Sequence, residues 1–466
     1  MVSLRELYRR VYNGPLVTQK DFFSLDHFLH PLQALAKEYG ITRDPNDYVP
    51  TDPGMADNLF QAGMAFLEEK GMWCMDTSRV VHFTRDEINT SLAKLPEQIS
   101  FGEGTERVTV QHRNTGDKRQ PIKLMGGWGV GCTSPELFLK AHQSVAQEEI
   151  DFLQDGVLTQ IDGERVRLGT PEEYNAASMG ARLLREAVRR AGKPGMPINF
   201  DCQAMSEYAH AAILNPGGAR LTDTWTLWPS YPPATIRMVS LNRAAMSLEY
   251  SNPLFTYTTG SIYQFAGGSE TSAIHMVADC IGLAMLDNVW LLVVGGASPP
   301  MRENTLPERN ATWWTSQIAS FAIFRNNKGI TGGGGAGSRS GLCTEMQFYE
   351  GAAGRIACEP RTAILTGGAS GGGGAESNES DDYINGITAR WGIELGNEIV
   401  GLSLTDANDL VKTILHHPKY KLGKEPAGKK FQEAYNLETM QPIKEYLDLY
   451  NDVTRDVKNL LGINPK

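Results

Sequence analysis

The chain has 466 residues, 41% hydrophobic and 21% charged, the balance of a folded globular protein. That length suits two or three average domains, or one large barrel with additions. Lys and Arg number 44 against 54 Asp and Glu, a net charge of −10, which speaks against nucleic acid as a partner because phosphate binding requires a basic face.

The cysteines Cys74, Cys132, Cys202, Cys280, Cys343 and Cys358 are scattered, with no Cys-x-x-Cys and no Cys/His cluster of metal-site spacing. They read as reduced thiols of a cytoplasmic protein. Met1 to Arg10 is polar and charged, so no signal peptide is expected. The apolar run Val289 to Ala297 is too short to span a bilayer, so no membrane association is expected.

Residues 1–118 read as a mixed α+β extension. Thr51-Asp52-Pro53-Gly54 starts a helix whose apolar residues Met55, Leu59, Phe60, Met64, Phe66 and Leu67 recur at helical spacing as far as Lys70. Gly71 stops it. Trp73-Cys74-Met75 and Val80-Val81-His82-Phe83 suggest a hairpin, and Thr84-Arg85-Asp86-Glu87 opens a further helix.

From residue 119 to 398 the pattern becomes regular. Eight strand-length apolar runs each precede a helix-length segment. The strands are predicted at Ile122–Met125, Val157–Ile161, Met196–Asn199, Leu221–Leu227, Leu254–Thr258, Val289–Val294, Lys328–Thr331 and Ala363–Thr366. The helices are predicted at about Pro135–Leu153, Pro171–Ala191, Met205–Ile213, Ala234–Tyr250, Glu270–Leu286, Asn310–Arg325, Cys343–Ala357 and Asp381–Leu395. This alternation predicts an α/β fold, a (β/α)8 TIM barrel, rather than an open doubly wound sheet. Residues 399–466 read as a C-terminal helical appendage that serves oligomer contacts.

Barrel enzymes keep their chemistry at the carboxyl ends of the strands. Asn199, Phe200 and Asp201 lie there on the third strand. Trp225, Thr226 and Trp228 lie on or after the fourth, and Tyr257 on the fifth. Rings converging on one mouth form a cage for a quaternary ammonium, although Trp and Tyr also commonly cover a barrel rim. Arg302 and Arg309, after the sixth strand, suit a carboxylate clamp or surface ion pairs. Two glycine tracts follow the seventh and eighth strands. The first contains Gly334, Gly335 and Gly337, and lets a bulky cofactor approach the backbone closely. Neither carries Gly-Lys-Ser/Thr, which argues against a nucleotide loop. No Asp-x-His-x-x-Gly for cobalt ligation and no Cys-x3-Cys-x2-Cys for an iron–sulfur cluster is present.

Several motifs together resemble the corrinoid-dependent methylamine methyltransferases, most closely the monomethylamine methyltransferases. They are Val49-Pro50-Thr51-Asp52, Cys74-Met75-Asp76-Thr77-Ser78-Arg79 and Thr84-Arg85-Asp86-Glu87-Ile88. Gly192-Lys193-Pro194-Gly195-Met196, Ala266-Gly267-Gly268 and Cys343-Thr344-Glu345-Met346 continue the series. Pro426-Ala427-Gly428-Lys429-Lys430-Phe431-Gln432-Glu433 closes it. The resemblance runs from about Tyr48 to Leu461. It implies an eight-stranded barrel, a homo-oligomer (a hexamer in the family), and methyl transfer from an amine to the cobalt of a separate corrinoid protein. No cofactor is then bound by this chain itself.

By the same resemblance, Asn199 stands where the family carries pyrrolysine. Thr226 and Tyr257 stand opposite its active-site glutamates, and its Gln and Tyr fall in the Gly335 to Gly337 tract. These departures imply a non-pyrrolysine member acting on a quaternary amine, a betaine among the candidates. In that reading Asn199 orients the donor while Tyr257, Trp225, Trp228, Thr226 and Phe200 line its site. Arg302 or Arg309 takes any carboxylate. The alternatives are monomethylamine or another methyl donor, a barrel that binds methylated amines without turnover, and a phosphate-binding barrel lyase.

Overall fold

The structure is a computed structural model that describes residues 2–200, 206–227, 233–261, 266–298, 305–333, 338–367 and 381–462. Eight parallel strands build its centre: β1 (Ile122–Gly126), β2 (Phe152–Gln154), β3 (Ile198–Phe200), β4 (Thr224–Leu227), β5 (Leu254–Ser261), β6 (Val289–Ser298), β7 (Ile330–Gly333) and β8 (Ile364–Gly367). They pair in the order β7-β6-β5-β4-β3-β2-β1-β8. β7 and β8 meet across the remaining seam, where Ala363 N donates to Thr331 O at 2.9 Å, so the barrel is nearly closed.

A helix follows each strand: α1 (Pro135–Ala146), α2 (Pro171–Arg190), α3 (Glu207–Ala212), α4 (Met238–Tyr250), α5 (Ser269–Leu283), α6 (Leu306–Asn326), α7 (Glu345–Cys358) and α8 (Gly386–Glu398). Their starts follow local chemistry. Ser134 accepts from Leu137 N ahead of Pro135, and Thr305 forms a capping box with Glu308 ahead of Pro307.

Two assignments made from sequence are corrected. The second barrel strand is Phe152–Gln154, not Val157–Ile161; Val157–Leu158 instead pairs with Gly131–Cys132 outside the barrel sheet. The true strand is only three residues long, and the helical pattern of the preceding segment runs into it on the page. The fourth helix starts at Met238, because Thr235–Ile236 is drawn out as a strand beside Trp73–Cys74 of the N-terminal hairpin.

Alternation along the strands divides the side chains between two layers. Leu124, Phe152, Phe255, Leu291, Val293, Ile330 and Ile364 fill the barrel interior, while Met125, Leu153, Ile198, Leu227, Leu254, Leu292 and Leu365 join the core beneath the helices. The amino end of the barrel is plugged by a hairpin, Gln98–Phe101 with Val108–Gln111. Its Phe101 ring lies 5.3 Å from Phe152 and 4.7 Å from Trp290. The helical tail packs on α7, with Tyr446 Oη accepting from Gln347 Nε2 at 2.9 Å. Extension, barrel helices and tail share one continuous hydrophobic core. Among the described residues no helix is long and apolar enough to cross a membrane.

Candidate active site at the carboxyl end of the barrel

Above the apolar plug the interior turns polar. Gln154, Asn199 and Thr226 come from the adjacent strands β2, β3 and β4, and register brings them together: Asn199 is paired with Gln154 on one side, and with Thr224 on the other. Asn199 is fully buried. Its Nδ2 donates to Gln154 Oε1 at 2.6 Å and to Thr226 Oγ1 at 2.7 Å. Its Oδ1 is buried with no hydrogen-bond partner among the described residues. A buried carbonyl-type oxygen without a partner is rare, and it marks a place where a ligand or water is expected.

Gln154 in turn donates from Nε2 to Oδ1 of Asp155 at 2.9 Å. Asp155 is also fully buried. Neither Gln154 nor Asp155 was singled out from the sequence. The misplaced second strand hid them: with the strand read as Val157–Ile161, both residues fell in a connecting segment. Their signal was a polar pair directly after a short apolar run.

Tyr257, on β5, is one interior layer beyond Phe255 and half-buried. Its ring lies 6.1 Å from Trp128, tilted by 41°, and 6.4 Å from Phe255. The ring rests on bare backbone of β6: a Cβ at Gly295 would come within 2.4 Å of it. Gly126, at the end of β1, is equally constrained, since a Cβ there would meet Gln154 O at 2.0 Å. Trp128 holds a left-handed φ of 45°, unusual for a bulky residue, and its Nε1 has no partner among the described residues.

The remaining expected site residues divide. Phe200 and Trp225 point away from the interior, because each is one residue out of phase with Asn199 and Thr226. Trp225 is fully buried under α3, its ring 4.1 Å from that of His210 at 87°. Phe200 sits in the same outer core. Both are therefore corrected from cation-binding to packing roles. Arg309, in the first turn of α6, has its guanidinium 5.5 Å from the Trp313 ring centroid. It also faces Glu350, a fully buried carboxyl that accepts from Ser338 Oγ at 2.7 Å and from Ser340 N at 3.0 Å. Burial pushes the Glu350 carboxyl up, against those hydrogen bonds and the Arg309 charge. Arg309 thus has a carboxylate of the chain itself for company. Trp228, Arg302, Gly334, Gly335 and Gly337 lie outside the described residues. Among the described residues no three His, Cys, Asp or Glu side chains gather as a metal ion would require.

A family model, monomethylamine methyltransferase MtmB, matches residues 2–462. The chain belongs to the monomethylamine methyltransferase MtmB family. It is similar to monomethylamine methyltransferase MtmB of Methanosarcina mazei, 29% identical over 468 residues that cover 98% of this chain and 97% of the relative. Monomethylamine methyltransferase MtmB1 of Methanosarcina acetivorans is also 29% identical, with the same coverage. Among solved structures, the crystal structure of a hydroxylamine MtmB complex superposes with a TM-score of 0.89 at 26% identity, covering 98% of both chains. That of the Methanosarcina barkeri monomethylamine methyltransferase does so with a TM-score of 0.88, again at 26% identity and 98% coverage of both. The MtmB family is thus the one the motifs pointed to, and its barrel is the barrel described above.

Proposed function

We propose that this chain is a methyltransferase that takes a methyl group from a quaternary methylated ammonium compound and passes it to the cobalt of a separate corrinoid protein, without pyrrolysine. Membership of the MtmB family supports methyl transfer from a methylated amine. The observation that carries the finer reading is Asn199. A neutral amide occupies the end of β3, locked by Gln154 and Thr226, with its oxygen unpartnered among the described residues. It offers no electrophile to which an amine could bond.

A quaternary ammonium needs none. Its nitrogen already carries the charge that makes it a leaving group. When reduced cobalt attacks the methyl carbon, the C–N electron pair stays on nitrogen and a neutral tertiary amine departs. What the chain must supply is position and a dry, cation-tolerant wall. Asn199 Oδ1 and the ring faces of Tyr257 and Trp128 are suited to that, being electron-rich. In this reading the corrinoid belongs to the partner protein, and the protein works in the cytoplasm as a homo-oligomer.

Calorimetric titration tests the substrate charge. Tetramethylammonium and glycine betaine should bind more tightly than ammonium or monomethylammonium, and Tyr257→Ala should weaken the first two while leaving the melting temperature nearly unchanged. Equal affinity for all four cations would contradict the proposal.

A further inference from the structure

The direction in which a side-chain amide points is dictated by what its neighbours are able to donate. Asp155 is fully buried immediately after β2, and its Oδ1 accepts from Gln154 Nε2 at 2.9 Å. Gln154 thus turns its NH2 to Asp155, which leaves its Oε1 facing Asn199. Asn199 must answer with its own NH2, at 2.6 Å, and the same NH2 reaches Thr226 Oγ1 at 2.7 Å. Turning Asn199 over would set Oδ1 against Gln154 Oε1, two acceptors in a buried place. The backbone holds the chain of groups in line, since Asp155 N donates to Asn199 O at 3.2 Å.

We propose that Asp155 is a positioning residue. Acting through Gln154, it fixes the polarity of Asn199 so that an oxygen, not an NH2, is presented to the ligand at the barrel mouth. The site thereby selects a cationic ligand over an anionic one of the same shape. The choice of ligand rests on the function proposed above; the polarity itself does not.

Two measurements separate these parts. A neutron crystal structure should place deuterons on Asn199 Nδ2 toward both Gln154 and Thr226. Deuterons on the opposite edge of that amide would overturn the assignment. Asp155→Asn keeps the shape but lets residue 155 donate, so Gln154 is no longer forced. This variant should melt within a few degrees of the wild type yet bind tetramethylammonium about tenfold more weakly. In an Asn199→Ala background the same substitution should cost nothing further, because the effect passes through Asn199. An unchanged affinity in Asp155→Asn, or the same loss in both backgrounds, would refute the positioning role. If the deuterons lie as stated but the wild type binds no tetramethylammonium, the methylated-cation function falls and the polarity assignment stands.

Discussion

In the proposed function Asn199 and Tyr257 act on a cation in different ways, and their substitution should separate binding from turnover. Tyr257 offers a ring face, worth about 0.5–2 kcal/mol to a desolvated cation, so Tyr257→Ala should raise the dissociation constant by about 2–30-fold. Asn199 holds its place through two hydrogen bonds, and its proposed role is to orient the donor. Asn199→Ala should lower the rate of methyl transfer by about tenfold or more, with a smaller effect on affinity. It should also cost about 1–3 kcal/mol of stability, since Gln154 Oε1 loses its buried donor. Single-turnover rates beside calorimetric affinities check both; an equal fall in rate and affinity for Asn199→Ala would contradict the orienting role. Trp225→Ala should behave otherwise. That ring is packed under α3, so the substitution should cost about 3–5 kcal/mol of stability and leave ligand preference alone. The sequence located Asn199, Thr226 and Tyr257 because strand ends are visible in hydrophobic runs. It did not separate Trp225 from Thr226, because one residue of phase decides which face a strand residue takes, and the alternation Thr224-Trp225-Thr226-Leu227 does not say which of its two faces turns to the barrel interior. Gln154 and Asp155 were lost for a related reason, the misreading of β2.

At the scale of elements, three devices hold the frame around the site. Asp223, fully buried just before β4, accepts from Ile198 N at 2.9 Å and from Arg220 N at 2.6 Å, and pairs with Arg185 of α2. It ties the start of β3 to β4, and so sets the height of Asn199. Burial pushes the Asp223 carboxyl up and the Arg185 guanidinium down, so their pairing compensates two desolvated charges. Asp223→Ala should cost about 3–5 kcal/mol, because it leaves Arg185 buried and uncompensated; a chemical-denaturation midpoint reads it. The Gln98–Gln111 hairpin closes the amino end through Phe101. This plug was not legible in the sequence, since its short strands sit in a polar stretch and acquire meaning only from the barrel they stop. At the first helices, Thr84 and Glu87 form the capping box that their spacing predicts, and Arg10 binds Glu87 at 2.6 Å. The Arg10 hydrogen bonds hold the Glu87 carboxyl down at about 2. Its contribution is therefore present above the ordinary carboxylate range and is lost as pH falls from about 4.5 toward about 2. Both side chains remain about a quarter exposed (25% and 23%), so Glu87→Gln should cost only about 1 kcal/mol, far less than the full shift would imply.

For the whole molecule, buried histidines set the response to acid. His142, fully buried in α1, is pulled down to about 4 by desolvation, and His210, on α3 against Trp225, lies well below the ordinary histidine value for the same reason, with Arg243 adding to it. Both are neutral in the fold and protonate near 6.5 once unfolded. Between about pH 6.5 and 4 the unfolded chain binds more protons, so stability falls as pH falls through that window. The urea midpoint should therefore be lower at about pH 5 than at about pH 7; equal midpoints would contradict the burial of these rings. The barrel as a whole was legible, because eight alternating apolar runs survive errors in any one of them. The chemistry was legible only as a contrast: the MtmB relatives cover 98% of the chain, yet an amide stands at the end of β3.

The most direct measurement is anaerobic single-turnover transfer to cob(I)alamin, followed by the spectrum of methylcobalamin. With tetramethylammonium or glycine betaine the purified protein should form methylcobalamin and release the tertiary amine in equal amounts, and with monomethylamine it should form none. Methylcobalamin from monomethylamine, with none from either quaternary donor, would contradict the assignment.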